Sequence, residues 1–318
     1  MNFKKCAIIG CGFVGTTTAY TLVHSKLFSE IVLIDINRNK AEGEAMDLND
    51  ATPFISPVDI YAGDYSDLSD CGIIIISAGA NQKIGETRID LVQKNVKIFK
   101  SIVENITKYC SDAILLVVTN PVDILTYVTL KLSGFPKEHV IGSGTVLDTA
   151  RLKYLIGKHL AVDSRNVHSF IIGEHGDSEL PVWSSANVSG IDLSYFCGIC
   201  GKCNGMTNLH NLFDEVKSSA YKIIEAKGAT YYAVAEAIRR ICVSIVRDED
   251  SILPVSAYVD GKYGLHDICL GLPSVISSNG IRNVLEIQLN EQEKAQLLRS
   301  ASILKDTISQ LSLFEESK

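Results

Sequence analysis

His175 stands in Gly173-Glu174-His175-Gly176-Asp177, and of the seven histidines it alone is bracketed by two glycines and two acids. An imidazole titrates near neutral pH, so it can give a proton to a substrate oxygen and take it back. A structural or surface histidine fits the same local sequence. Asp148 and Arg151 are spaced i, i+3 in Val146-Leu147-Asp148-Thr149-Ala150-Arg151, which puts them on one helix face. Alone, they also fit an exposed ion pair. A third group, Gln82-Lys83-Ile84-Gly85-Glu86-Thr87-Arg88, places an amide and then an arginine on a glycine-containing loop after an apolar strand. Such a loop can carry charge into a pocket and withdraw it.

These residues need elements to hold them. The first half alternates β-rich runs with helical patterns, the mark of a parallel sheet wrapped by crossover helices. Strands are expected near 6–10, 31–36, 59–62, 73–77, 113–118 and 140–142, with helices near 14–26, 40–49, 87–109 and 122–132. Ile73–Ile76 is continuously apolar, as a strand covered on both faces requires. The second half predicts a mostly antiparallel set near 167–172, 255–259 and 265–270, with Asp260-Gly261 as a hairpin turn. A long helical stretch over 212–246 should break near Gly228, and a last helix should start at Asn290, where Glu293 completes a capping box.

Gly10-Cys11-Gly12-Phe13-Val14-Gly15 fits G-x-G-x-x-G between a strand and a helix, and Asp35 ends the next strand. Gly10 makes the tight turn, Gly12 admits a pyrophosphate and Gly15 lets helix and strand pack closely. The helix N-terminus offers unpaired N–H groups to phosphates. Asp35 would accept hydrogen bonds from an adenosine ribose and repel a 2′-phosphate, which predicts NAD over NADP. Thr119-Asn120-Pro121 closes the fifth strand, at the edge expected of a nucleotide site. The fold class is therefore α/β: a Rossmann-type doubly wound parallel sheet over 1–144, then a mixed α+β substrate domain with antiparallel strands over 145–318.

Composition narrows the partners. With 318 residues, 46% hydrophobic and 21% charged, the chain reads as a globular protein. A net charge of −7 gives no reason to expect nucleic acid or an anionic membrane. No secretory signal is visible, and the strongest apolar run, 72–80, is too short to span a bilayer. Nine scattered cysteines suggest reduced thiols in a cytoplasm. Cys197, Cys200 and Cys203 have C-x2-C-x2-C spacing with His210 beyond, but lack the Cys-Pro of iron–sulfur runs. A Cys3His zinc site is sterically conceivable, but they are read as free thiols of a glycine-rich loop, and no metal is expected.

Taken together, the motifs closely resemble the lactate/malate dehydrogenase family, on the side of the bacterial L-lactate enzymes. The likeness rests on the glycine motif, Gly79-Ala80-Asn81-Gln82 through Arg88, Val118-Thr119-Asn120-Pro121, Leu147–Arg151, Gly173–Asp177 and Lys227-Gly228-Ala229-Thr230. It implies that His175 exchanges a proton with the pyruvate/L-lactate oxygen, with Asp148 holding the imidazole. Arg151 would bind the substrate carboxylate through two parallel hydrogen bonds. Arg88 would swing in to polarise the carbonyl. Asn120 would lie beside nicotinamide and substrate, while Thr230 and Val234 line the remaining wall. Phe13, Val14, Gly79 and Ala80 join the glycines and Asp35 as cofactor contacts.

Gln82 separates the branches, since malate enzymes carry an arginine there for a second carboxylate. Ile84 replaces a proline common in the family, leaving the loop less restrained when open. Lys153 and His168 occupy the positions of an arginine and a histidine that bind fructose 1,6-bisphosphate between subunits in activated relatives. Lys153 lies about 200° around the helix from Arg151 and lacks the planar fork, which implies weakened or absent activation. A homotetramer is implied as well. The rival readings are a malate or other 2-hydroxy-acid dehydrogenase, an NAD-dependent hydrolase and a non-catalytic NAD-binding protein.

Overall fold

A computed structural model describes residues 1–80, 87–201 and 206–311, without the side chains of Arg88 and 206–208. Six parallel strands are β1 (Asn2–Ile9), β2 (Glu30–Ile34), β3 (Asp59–Ala62), β4 (Cys71–Ile76), β5 (Ile114–Val117) and β6 (Val140–Gly142). They lie in the order β6-β5-β4-β1-β2-β3, so the winding reverses between β1 and β4. A crevice opens outside the carboxyl ends of these two strands. The connecting helices are α1 (Phe13–Ser25), α2 (Arg38–Ile55), α3 (Arg88–Tyr109) and α4 (Val122–Ser133).

The isoleucine run shows why the sheet is covered twice. Successive strand residues point to opposite faces. Ile74 and Ile76 join Phe99 of α3 and Leu125 of α4 in one core, whereas Ile73 and Ile75 join Leu22 of α1 in the other. All four isoleucines are fully buried.

The second half contains α5 (Val146–Leu160) and five two-residue strands: β7 (Val167–His168), β8 (Ile171–Ile172), β9 (Leu180–Pro181), β10 (Asn187–Val188) and β11 (Ile191–Asp192). Helices α6 (Leu193–Ile199), α7 (Met206–Lys227) and α8 (Tyr232–Val246) follow, then β12 (Ser251–Val259), β13 (Ile268–Ser277), β14 (Gly280–Val284) and α9 (Glu291–Ser309). The break between α7 and α8 includes Gly228, at φ +87°. Asn290 and Glu293 form the expected reciprocal cap of α9.

Three features differ from the sequence expectations. The 167–172 run is two strands in separate sheets, because β7 pairs with β10 and β8 with β9. Asp260-Gly261 is not a two-residue turn; it opens an eight-residue connection from Val259 to Ile268 that contains a 3-10 turn at Lys262–Gly264. Finally, β12, β13 and β14 extend the parallel sheet to nine strands, with β12 antiparallel to β6 at Ser256↔Gly142. The seam is tight: a Cβ on Gly144 would lie 2.3 Å from the Ser256 nitrogen. Buried Thr145 donates its backbone N–H to the Pro254 carbonyl at 3.0 Å and its hydroxyl to that of Ile171 at 2.6 Å.

Candidate active site

The crevice between β1 and β4 begins at the glycine loop. Gly10 has φ +104°, and a Cβ there would lie 2.5 Å from the Ala78 nitrogen. One on Gly15 would lie 1.8 Å from the Gly10 carbonyl oxygen, so both positions require glycine for close packing. Gly12 is different: a Cβ would meet nothing within 4 Å. It is the N-cap of α1, with no side-chain cap and no acid in the first turn. The helix end therefore offers bare N–H groups and positive potential beside open space, which suits a pyrophosphate.

Asp35 follows β2 and accepts the Cys11 N–H at 2.7 Å and the Asn37 N–H at 2.9 Å, one on each oxygen. Each oxygen keeps lone-pair capacity for ribose hydroxyls. These residues fit a dinucleotide. Phe13, 68% exposed, stacks on Tyr231 with ring centroids 5.4 Å apart, joining the start of α1 to the start of α8.

Deeper in, a cavity of about 300 Å³ is lined by Val14, Gly79, Ala80, Asn120, Thr230, Val234 and His175, among others. A neighbouring one of about 390 Å³ is lined by Asn120, Asp148, Arg151, His175 and the α7 face carrying Val216, Lys217 and Tyr221. Asn120 and His175 border both, so they stand where a cofactor ring and a substrate would meet. Asn95, fully buried on α3, sets this junction. Its Oδ1 accepts the Ala80 N–H at 2.7 Å, and its Nδ2 donates to the Asn120 carbonyl at 3.1 Å.

His175 lies in the turn between β8 and β9. Its Nδ1 meets Asp148 Oδ2 at 2.6 Å, while Asp148 Oδ1 accepts from Arg151 Nη1 at 3.0 Å. One buried carboxylate thus joins the imidazole to the guanidinium. The His175 backbone N–H donates to Asp123 Oδ2 at 2.7 Å, and Ser256 Oγ donates to Asp123 Oδ1 at 2.5 Å.

Burial would lower the His175 pKa, but the Asp148 charge and hydrogen bond outweigh it and push it up to about 9. Burial would likewise raise Asp148, yet His175 and Arg151 hold it below the usual carboxylate range. Burial dominates at Asp123 and lifts it to about 6 despite its two donors.

Two predicted residues lie elsewhere. Lys153 is half-buried on α5, where burial lowers its pKa; His168 is exposed on β7. Neither lines the two cavities. Arg88 is the first residue of α3, behind a capping box of Thr87 and Asp90. Gln82, Ile84 and Cys203 fall outside the described residues. None of the eight cysteines among the described residues is in a disulfide; Cys197 is buried and Cys200 half-buried.

Sequence reasoning passed over Asn95, Asp123, Glu179 and the Phe13–Tyr231 stack. Asp123 was within reach as an acid in the turn after Asn120-Pro121. Asn95 carried no signal, being one polar residue inside an amphipathic helix.

Residues 4–142 match the family described as lactate/malate dehydrogenase, NAD binding domain. Residues 145–315 match lactate/malate dehydrogenase, alpha/beta C-terminal domain. The chain is 57% identical to an L-lactate dehydrogenase of Acetivibrio thermocellus over 98% of both chains. It is 52% identical to L-lactate dehydrogenase 1 of Clostridium acetobutylicum, over 96% of this chain and 98% of that one. A solved structure of the minor L-lactate dehydrogenase from Enterococcus mundtii, in a ligands-bound form, superposes with a TM-score of 0.94 at 43% identity, covering 96% of this chain and 98% of that one. On this agreement of sequence and fold, the chain belongs to the lactate/malate dehydrogenase family.

Proposed function

We propose that the chain is an NAD-dependent L-lactate dehydrogenase that interconverts pyruvate and L-lactate. The Arg151–Asp148–His175 chain at the junction of the two cavities carries this reading. The bound nicotinamide would supply the hydride for pyruvate reduction or accept it from lactate.

The protein's part follows from its own atoms. Arg151 spends one N–H on Asp148 and keeps the others for the substrate carboxylate. Nδ1 of His175 is engaged by Asp148, leaving Nε2 to donate a proton to the carbonyl oxygen. Asp148 stabilises the imidazolium and fixes which nitrogen faces substrate. Arg88 would add charge at the carbonyl from the start of α3, and Thr230 would complete the wall. In this reading residues 1–144 hold the cofactor and 145–318 supply the substrate chemistry.

Pyruvate reduction needs His175 protonated, and lactate oxidation needs it neutral. A folded pKa of about 9 therefore predicts kcat/KM for pyruvate that stays level through neutral pH. Above about 9 it should fall roughly tenfold per unit, while lactate oxidation climbs toward that pH. An alkaline limb near pH 7 in pyruvate reduction would contradict the assignment.

Gln82 supports pyruvate over oxaloacetate, because a neutral amide offers no partner to a second carboxylate in a closed pocket. Gln82→Arg should shift the ratio of kcat/KM for oxaloacetate over pyruvate by about 10²-fold toward oxaloacetate. An unchanged ratio in an NADH-consumption assay sinks this choice of substrate.

Among the described residues no helix is long and apolar enough to cross a membrane. A cytoplasmic homotetramer acting in fermentative NAD+ regeneration completes the reading. Lys153, a lysine without the planar fork of an arginine, supports weak or absent activation by fructose 1,6-bisphosphate, which a titration at sub-saturating pyruvate would test.

A further inference from the structure

The β8–β9 hairpin returns a second acid to His175. Pairing of Ile172 with Leu180 and of Ile171 with Pro181 closes the hairpin, and the Glu179 N–H donates to the Gly176 carbonyl at 3.2 Å. Glu179 is buried, at 7% exposure. One side-chain ligand atom from each of Asp148, His175 and Glu179 lies within 4.8 Å of the others.

Glu179 also borders both the substrate-side cavity and a second cavity of about 410 Å³ behind the turn, between α7 and α9. Lys217 of α7 borders the same two and donates to the Asp177 carbonyl at 2.6 Å, tying the turn to that helix. Nothing in the mechanism above uses this carboxyl group.

We propose that Glu179 is a positioning residue that completes an Asp148–His175–Glu179 proton-holding cluster at the cleft wall and acts on the reaction through the imidazole. The proposal rests on the reading of His175 as proton donor. Burial and the facing Asp148 charge raise Glu179 to about 9, so at neutral pH it carries a proton beside the Asp148–His175 ion pair. Two groups this close titrate together. When the proton leaving at alkaline pH comes from Glu179, the new carboxylate holds His175 charged. Without Glu179 the imidazole must give up that proton itself.

Among the described residues, the other charged groups around the cluster are Arg151 on α5, Asp123 on α4 and Lys217 on α7. Glu174 and Asp177 belong to the same turn. All of these remain in the variants below.

The test is an NMR titration of histidine-labelled full-length protein without substrate, the His175 signal being assigned by its loss in His175→Asn. The His175 midpoint should fall by about one pH unit or more in Glu179→Gln. It should fall similarly in Glu179→Ser, which gives the same reading if the amide disturbs the fold. Glu179→Asp, which keeps an acid, should recover part of the shift. In turnover, the alkaline limb of kcat/KM for pyruvate should move down in parallel, whereas a merely structural role would lower activity at every pH alike. An unmoved His175 midpoint in both the Gln and Ser variants overturns the cluster. Absence of pyruvate turnover by the unaltered protein would instead overturn the functional reading, and the titration would still report on the cluster.

Discussion

His175→Asn is expected to lower kcat/KM for pyruvate by about 10²- to 10⁴-fold, the range of a positioned general acid. The loss should appear mainly in kcat, because the carboxylate site on Arg151 is left in place. The pH dependence attributed to the imidazole should disappear with it. The side chain retains 25% exposure, on the cleft, so replacement leaves a small polar gap at a cavity wall and the fold should persist. Steady-state kinetics across pH 6 to 10, with circular dichroism as a fold control, would check this. A variant that keeps its kcat and its alkaline limb would remove His175 from the chemistry.

Arg151→Lys should raise KM for pyruvate by about 10²-fold, as one ammonium replaces a guanidinium able to make two parallel hydrogen bonds. A second consequence follows from the bond between Arg151 Nη1 and Asp148 Oδ1. The shorter lysine would leave that oxygen without its partner, so His175 should also titrate differently. Initial-rate measurements with pyruvate should show the KM effect exceeding any effect on kcat. A variant impaired in kcat alone would place the substrate carboxylate elsewhere.

Much of this arrangement was legible in the sequence wherever one residue type had a single physical use. Gly10 and Gly15 are required by contacts that any side chain would violate, and Asp35 by its place after β2. Asn290 with Glu293 likewise predicted the start of α9. The 167–172 run misled because an apolar stretch does not say where it changes sheets. Asp260-Gly261 misled because a turn dipeptide can open a longer connection as well as close a hairpin. Asn95 and Glu179 were hidden for another reason. Their partners are 15 or more residues away or across a hairpin, and no local spacing encodes such pairings. The Phe13–Tyr231 stack brings together positions more than 200 residues apart and leaves no trace in either neighbourhood.

The seam at Gly142–Thr145 bears on how such a chain can be inherited. Because β12 pairs with β6 and Thr145 bonds to backbone on two later segments, the cofactor-holding half is not a cassette. Recombination at this point would have to import a partner whose strands, small residues and threonine matched across the join. Substitution of single residues around the cleft asks for no such match. New substrate preferences are therefore more accessible to this architecture through point changes on its loops than through exchange of its halves.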